Sequence, residues 1–244
     1  MARLLDVIQE EPRECSYLAD RLATLEHRIM VDVTPAELER LLEHGWRRFG
    51  VDYFRPACAG CSACIPTRVP TGAFTPSKSQ RRARKACAAL EVQLGPPRFD
   101  DERLALYHRW HRYREGQRGW EEADLSERNY RLQFAFPHPA ARELAYIDSA
   151  TGKLVGVALS DETERAWSAI YFFYDPEWAD RSIGTANVVI QIAIARARKI
   201  PYVYLGYRVA ACASLAYKLR FRPQEALVGW PEDDETPEWR LIDE

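Results

Sequence analysis

The chain has 244 residues, of which 47% are hydrophobic and 29% are charged, and its formal net charge is −2. This composition supports a real hydrophobic core in one large or two small domains. Residues 1–11 contain no apolar signal-peptide core and the apolar runs are too short to cross a bilayer, so a cytoplasmic location is expected rather than secretion or membrane insertion.

The first 95 residues predict a small, loop-rich, mostly β unit with one helix. Thr34 supplies an N-cap, Pro35 occupies the first turn and Glu37 lies three residues after the cap, so the helix is expected to run from Pro35 to His44. The flanking segments predicted to be extended are 17–18, 27–33, 46–56 and 65–69.

Three of the six cysteines, Cys58, Cys61 and Cys64, form a C-x-x-C-x-x-C stretch. A turn with this spacing aims successive sulfur atoms at one centre, and Cys15 is the candidate for a fourth ligand. In a reducing compartment the spacing favours metal binding or redox chemistry over structural disulfides. An iron–sulfur cluster, a zinc ion and packed, reduced thiols are the alternatives.

Positive charge is concentrated between Trp46 and Lys85, where nine basic residues accompany a single acid, Asp52. Five aromatic residues are interleaved with them, a combination suited to phosphate contacts and base stacking. We therefore predict RNA binding by this patch, and a solvated basic face is the alternative. The residues assigned to phosphate contacts are Arg47, Arg48, Lys78, Arg84 and Lys85.

Gly95-Pro96-Pro97 predicts a junction, after which a second unit begins. Its strands follow one another across short turns, which is typical of an antiparallel meander that precedes a long helix. The predicted elements are helices at 100–114 and 126–136, strands at 142–147, 153–159, 166–174 and 202–207, a short helix at 213–218 and an extended piece at 225–230.

The stretch from Ala166 to Arg198 combines a strand, a turn and a long helix. The turn carries an R-x-x-G-x-A pattern, and the free N–H groups at the helix start, together with the helix dipole, favour an anion there. The alternative is that the glycine only packs the helix close to the strand. The residues predicted to bind phosphate are Arg181, Ser182, Gly184 and Thr185.

This turn resembles the pyrophosphate turn of the GNAT family of N-acetyltransferases, and the element order after residue 96 matches that fold. The resemblance implies an α+β protein, with a GNAT-like acyltransferase domain over 96–244 and a smaller, cysteine-containing, mostly β domain over 1–95. In the GNAT fold two strands splay apart and the acyl donor enters the gap. Here the gap is expected between 172–174 and 204–207.

Motifs along most of the chain point to one family. They are Cys15-Ser16-Tyr17-Leu18, Gly45-Trp46-Arg47-Arg48, Arg55-Pro56, 74–82, 173–176, 181–185, Tyr204-Leu205-Gly206-Tyr207, Tyr217-Lys218 and 221–223. Together they resemble the arginyl- and leucyl-tRNA-protein transferase family in its short bacterial form. The resemblance implies transfer of leucine or arginine from aminoacyl-tRNA to the N-terminal Asp or Glu of a protein, which marks that protein for degradation in an N-degron pathway. The eukaryotic branch is associated with an iron–sulfur cluster.

The implied chemistry requires no cofactor, because aminoacyl-tRNA is already an activated ester. A peptide α-amine has a pKa of about 7.7 to 8.0, so much of it is neutral and attacks the ester directly. Tyr171, Tyr207, Tyr217 and Lys218 are the candidates for stabilising the oxyanion and moving the proton, with core tyrosines and a surface lysine as the alternative.

An acidic acceptor calls for an arginine that makes two directed bonds to its carboxylate. The residues assigned to the acceptor are Arg81 and Arg82, assisted by Ser79 and Gln80, although all four compete with a tRNA role.

Some positions depart from the family pattern. Arg208 stands where tryptophan is expected, Cys212 and Ser214 stand where serine and lysine are common, and residues 108–122 are unusual. The choice between leucine and arginine therefore stays open. Two other functions are kept: a coenzyme A-dependent N-acetyltransferase and a non-catalytic RNA- or metal-binding protein.

Overall fold

The computed structural model describes residues 1–118 and 125–242, so part of the unusual stretch at 108–122 lies outside the described residues. The elements in chain order are β1 Arg3–Gln9, β2 Arg13–Glu14, β3 Leu22–Ala23, β4 Leu25–Val31, α1 Pro35–Glu43, β5 Arg47–Phe49, β6 Asp52–Pro56, β7 Ile65–Pro70, α2 Lys78–Ala86, β8 Leu90–Gly95, α3 Asp101–Arg118, α4 Glu127–Gln133, β9 Ala141–Asp148, β10 Leu154–Glu162, β11 Ala166–Tyr174, a 3₁₀ helix Pro176–Arg181, α5 Ile183–Ala197, β12 Tyr202–Arg208, α6 Ala213–Ala216, a 3₁₀ helix Tyr217–Arg220, β13 Glu225–Leu227 and β14 Trp239–Leu241.

The larger sheet has eight strands in the order β14-β13-β7-β12-β11-β10-β9-β8. Strands β8 to β11 pair antiparallel in sequence order, which confirms the predicted meander. Strand β12 then pairs parallel to β11, as expected when a helix connects the two strands. The mixed sheet, the helices before it and the helix between β11 and β12 make this a GNAT-like α+β fold.

Strands β11 and β12 separate soon after they begin to pair. Their register covers only three residue pairs and ends at Ser168 and Tyr204, whereas the strands continue to Tyr174 and Arg208. Gly206 adopts a φ of 76°, a conformation that favours glycine, just past an irregularity in the pairing of β12 with β7. The strands thus form the expected gap.

Helix α5 packs on this sheet through a buried polar cluster as well as through apolar side chains. Gln191 accepts hydrogen bonds from Trp167 at 2.8 Å and from Ser160 at 3.0 Å, and it donates to Asn187 at 2.9 Å. Asn187 also accepts from Tyr146 at 2.7 Å. Because these buried groups have partners, they fix the helix on the strands without a desolvation penalty.

Helix α2 is a second helix in the first 95 residues, where the sequence predicted only one. Ser77 and Gln80 form a reciprocal capping box at its start, and this signal lies within the stretch that was interpreted as a basic patch. The helix runs antiparallel to α5, because Cys87 bonds to Arg181 at one end while Arg196 bonds to the carbonyl of Phe74 at the other.

The smaller sheet has the order β1-β4-β6-β5. The predicted capping box of α1 is confirmed, and the buried side chains of this helix pack with Trp46 and Tyr53. The single strand expected at 46–56 is wrong, since these residues form two strands. The extended piece expected at 17–18 is also wrong, because these residues lie in the bend that joins β2 to β3.

The two parts of the chain share the larger sheet. Strands β7 and β8 come from the first 95 residues, and β7 lies between β12 and β13. The proposed boundary between residues 1–95 and 96–244 therefore does not coincide with a boundary between the two sheets. None of the helices within 1–118 and 125–242 combines the length and apolar character needed to cross a bilayer.

Candidate active site between strands β11 and β12

The N-terminus of α5 lies just beyond the end of β11, where the sequence predicts phosphate binding. Ser182 has a φ of 56° and its side chain makes no capping hydrogen bond, so it accepts no hydrogen bond from the first-turn N–H groups. A Cβ placed on Gly184 would meet no protein atom within 4 Å, which leaves open space beside the backbone. Arg181 is exposed, with its guanidinium 3.9 Å from the ring centre of Trp178, and Thr185 is half-buried in the first turn.

Helix α2 presents an exposed basic face next to this N-terminus. The thiol of Cys87, at the end of α2, donates to the carbonyl of Arg181 at 3.7 Å, so the end of α2 lies beside the start of α5. Its buried face packs on α5 through Ala83. The exposed residues of α2 with polar or basic side chains are Lys78, Ser79, Arg81, Arg82, Arg84 and Lys85.

The four residues assigned to the acceptor differ in their environment. Gln80 is buried, accepts from the backbone of Ser77 at 2.8 Å and donates to the carbonyl of Arg220 at 2.8 Å, so its amide is occupied by the fold. Arg81 is exposed and donates to the carbonyl of Pro76 at 2.5 Å. The other two, Ser79 and Arg82, are also exposed on α2.

Arg47 lies at the apex of the gap, although the sequence assigned it to tRNA binding. It donates to the carbonyl of Ala169, the first residue of β11 beyond the paired stretch. Its Nε and Cζ atoms lie 3.5 and 3.6 Å from the position that a Cβ on Gly206 would take. The guanidinium therefore spans the two strands where they separate, and its Nη1 atom is buried without a hydrogen-bond partner.

Lys218 enters the same space from the 3₁₀ helix that follows α6. Its Nζ atom lies 3.5 Å from the same point beside Gly206 and donates to the carbonyl of Tyr207 at 2.7 Å. Burial lowers the pKa of Lys218 to about 7, with a further contribution from the positive charge of Arg47. A lysine with this pKa is partly neutral at cellular pH and is able to accept a proton.

The three candidate tyrosines are held in different ways. Tyr207 donates from its hydroxyl to the carbonyls of Gly45, at 3.0 Å, and Phe54, at 3.1 Å, and burial raises its pKa. Tyr171 lies with its hydroxyl 3.2 Å from His111, and burial raises its pKa to about 12. Both hydroxyls are occupied by the protein, which fits the core-tyrosine alternative.

Tyr217 is the candidate tyrosine that borders the open part of the gap. Its side chain is 39% exposed, and loss of water around the hydroxyl raises its pKa. Arg114 of α3 and Tyr174 at the end of β11 both act on that pKa, so their side chains lie near Tyr217.

Part of the basic patch serves the fold, and the interpretation of all its residues as a nucleic-acid surface is wrong. Arg48 is buried, forms a two-point ion pair with Asp161 and donates to the carbonyl of Gly50 at 2.9 Å. It has no free surface for a phosphate. The other buried arginines of the patch are Arg55 and Arg68, and the aromatic residues too buried to stack on bases are Trp46, Tyr53 and Phe74.

The four cysteines of the predicted metal site lie near one another. Burial and the neighbouring thiols of Cys58, Cys15 and Cys61 raise the pKa of Cys64 to about 12. Cys58 bonds to the backbone of Thr24. Within residues 1–118 and 125–242, no group of three or more His, Cys, Asp or Glu side chains has the arrangement of metal ligands.

Comparison with known families identifies the chain. A model of the N terminus of arginine-tRNA-protein transferases matches residues 13–82, and a model of their C terminus matches residues 102–228. The chain belongs to this family. Its two matched regions contain the gap, the first part of α2 and the start of α5, and the match confirms the family inferred from the motifs.

Members of this transferase family are similar over almost the whole chain. A protein of Helicobacter hepaticus named aspartate/glutamate leucyltransferase is 34% identical over 241 residues, which covers 98% of each chain. The protein of the same name from Hahella chejuensis is 36% identical over 216 residues, covering 88% of this chain and 90% of its own. Among solved structures, a conserved protein of unknown function from Bacteroides thetaiotaomicron has a TM-score of 0.49 and 17% identity, and the match covers 66% of this chain and 56% of that one.

Proposed function

We propose that this chain transfers leucine from leucyl-tRNA to the α-amine of proteins that begin with Asp or Glu, a step that creates a degradation signal. The observation that carries the proposal is the near full-length likeness to relatives named aspartate/glutamate leucyltransferase. The gap, with a helix N-terminus at its mouth and two cations inside, is the geometry that such a transfer needs.

In this mechanism the acceptor amine attacks the carbonyl carbon of the aminoacyl ester inside the gap. A C–N bond forms, the bond from that carbon to the ribose oxygen breaks, and one proton leaves the nitrogen. Lys218 in its neutral form takes this proton and returns it to the departing ribose oxygen. Tyr217 donates a hydrogen bond to the oxyanion, whereas the carbonyl of Tyr207 holds the Lys218 ammonium in place.

The donor RNA is bound outside the gap. The terminal phosphates lie on the first turn of α5, next to Gly184, with Arg181, Ser182 and Thr185 around them. From there the acceptor stem follows the exposed face of α2, which carries Lys78, Arg84 and Lys85 together with Arg81 and Arg82. Arg48 is not included, since Asp161 occupies it.

The cysteine cluster is kept as a separate proposal and contributes no step to the reaction. The thiols of Cys15, Cys58 and Cys61 are near enough to act on the pKa of Cys64, which supports an iron–sulfur cluster or zinc, and packed, reduced thiols are the alternative. Iron and zinc analysis of anaerobically purified protein distinguishes the three alternatives.

The test of the proposed function is transfer of radiolabelled leucine and arginine, each supplied on tRNA, to peptides that begin with Asp, Glu, Lys or Ala. We expect labelling by leucine of the Asp and Glu peptides alone. Transfer of arginine in place of leucine would show that arginyl-tRNA is the donor. If no peptide is labelled, the proposed function is wrong. Acetylation of the same peptides in the presence of acetyl-coenzyme A would support the N-acetyltransferase alternative.

A further inference from the structure

The apex of the gap holds a permanent cation, Arg47, beside a lysine, Lys218, that is only partly protonated. Nζ of Lys218 and Nε of Arg47 each lie 3.5 Å from one point beside Gly206. Neither residue forms an ion pair within the described residues, and Asp161, a carboxylate near enough to act on the pKa of Arg47, is already paired with Arg48. Buried charges are normally paired, so this arrangement calls for an anion from outside the protein.

One guanidinium nitrogen of Arg47 is left for that anion. Its Nη2 atom is fixed by the carbonyl of Ala169, and its Nη1 atom is buried without a partner. Burial also lowers the pKa of Arg47, a sign that the charge has lost water without gaining a counter-ion. A carboxylate at Nη1 would restore that pairing with a short, charge-assisted hydrogen bond.

We infer that Arg47 binds the side-chain carboxylate of the acceptor's N-terminal Asp or Glu, and so determines which proteins receive the amino acid. This inference rests on the proposed function. In an acidic N-terminal residue the carboxylate is one or two methylene groups from Cα, which also carries the reacting amine. A carboxylate held at Arg47 therefore leaves the amine beside Lys218, the group that takes its proton.

The exposed arginines of α2 are less suited to this recognition. Arg81 and Arg82 are hydrated, and Arg81 already donates to the carbonyl of Pro76. An exposed ion pair is screened and distinguishes poorly between a carboxylate and its neutral amide, whereas a buried arginine left unpaired by the wrong substrate rejects it strongly. A phosphate of the donor is the competing occupant of Arg47, and the experiment separates the two.

The test compares peptides that begin with Asp and Asn, and with Glu and Gln, which differ in charge but hardly in shape. We expect the wild type to prefer the acid by about 100-fold or more in kcat/KM. Arg47→Gln retains a donor for the carbonyl of Ala169. In this variant the ratio of kcat/KM for the acidic peptide to that for its amide should fall towards one, because only the value for the acidic peptide decreases. The KM for leucyl-tRNA should stay unchanged. Arg82→Gln is the matched control and should keep the ratio.

Each other outcome contradicts the inference in a distinct way. Equal losses for acid and amide peptides, with a higher KM for leucyl-tRNA, would assign Arg47 to a donor phosphate. An unchanged ratio in Arg47→Gln would assign the acceptor to another residue. If the wild type transfers no leucine to any of the four peptides, the proposed function fails and the inference fails with it.

A measurement on the wild type covers the case in which the variant does not fold. Phenylglyoxal modifies arginine side chains, and peptide mapping reports the extent at Arg47. The Asp peptide should protect Arg47 at least several-fold better than the Asn peptide does, and equal protection by the two would overturn the inference.

Discussion

At the scale of single residues, the charge inside the gap depends on how burial changes the pKa values of Arg47 and Lys218. Arg47 has a lowered pKa but remains a cation over the physiological range, because free arginine titrates only above about pH 12. Lys218 starts from an ordinary value of 10.5 and reaches about 7, where half of it is neutral at cellular pH. The same environment thus holds one permanent charge, suited to the proposed binding of a carboxylate, and one titratable group, suited to the proposed proton transfer.

The first prediction concerns Lys218 as the proton acceptor. Because its neutral form is the active one, the wild-type kcat should fall as the pH is lowered through about 7. Lys218→Arg keeps a cation and a donor but cannot lose its proton, so kcat should decrease about 100-fold or more. Stopped transfer assays between pH 5.5 and 9 measure both effects.

Thermal stability provides the control for this prediction. The unfolded chain keeps Lys218 protonated up to its ordinary pKa of 10.5, whereas the folded chain releases the proton near 7. Between these values the unfolded state binds more protons, so the stability of the wild type should rise with pH. Lys218→Met lacks the free-energy cost of burying a lysine whose pKa is lowered on folding. The wild type should therefore be less stable than this variant at pH 7, and the two stabilities should become similar above pH 10. A Lys218→Arg protein with the wild-type rate would refute the role in catalysis.

At the scale of elements, the antiparallel pair of α2 and α5 joins the basic face to the proposed phosphate site. The end of α2 meets the start of α5 through the bond from Cys87 to the carbonyl of Arg181. Exposed lysine and arginine on α2 therefore continue the positive field of the α5 N-terminus. An RNA strand that reaches the helix start has cations along the path that leads to it.

The second prediction tests that path through its salt dependence. Arg84→Ala combined with Lys85→Ala should weaken tRNA binding and reduce the slope of log K against log salt by about 1 to 2, because each lost phosphate contact removes about 0.7 to 0.9. Arg3→Ala with Arg240→Ala changes the net charge equally at exposed sites elsewhere and should leave the slope unchanged. Filter binding at four salt concentrations measures it. Equal slopes for the two double variants would exclude the α2 face from the RNA site.

The third prediction concerns the first turn of α5. Gly184→Val adds a side chain where no protein atom lies within 4 Å, so the protein should fold normally while the added bulk keeps a phosphate away from the backbone. We expect KM for leucyl-tRNA to rise about 10-fold or more, with a larger effect than in Arg181→Ala. Steady-state kinetics and thermal melting provide the two readouts.

Gly72→Val is the matched control for that variant. Gly72 also has open space around it and lies near the opposite end of α5, where Arg196 bonds to the backbone. Its substitution should leave KM for leucyl-tRNA unchanged. A folded Gly184→Val protein with normal transfer at subsaturating leucyl-tRNA would remove the phosphate from this turn.

At the scale of the whole molecule, the larger sheet is assembled from both ends of the sequence. Strand β7 lies between β12 and β13 and pairs with both, and α2 packs on α5. Residues 96–244 alone would lack β7, α2 and β8, leaving an edge of β12 unpaired and an apolar face of α5 exposed. The matched N- and C-terminal family regions thus depend on one another for their core.

The fourth prediction follows from this shared sheet. A fragment of residues 96–244 should show no cooperative thermal transition, whereas the full chain should show one. A fragment of residues 65–244, which regains β7, α2 and β8, should recover more helical signal by circular dichroism. Cooperative melting of the shorter fragment would establish 96–244 as an independent domain.

The sequence predicted what is local and could not predict what is distant. The strand, turn and helix around Gly184 follow from neighbouring residues, and so does the capping box of α1. The burial of Arg48 depends on Asp161, which is 113 positions away, and nothing near Arg48 indicates that partner. Arg47 was assigned to RNA for the same reason, because only the pairing of β12 with β11 creates the gap that contains it.

The position of β7 also determines when this enzyme becomes complete during its synthesis. Thr67 of β7 bonds to Gly206 of β12 across 139 positions, so β7 leaves the ribosome long before its partner exists. Contacts of such long range form late and slow the folding of a chain. The gap cannot form until β12 and Lys218 have been added. A chain whose translation stops early therefore carries the residues of α2 without an assembled reaction centre.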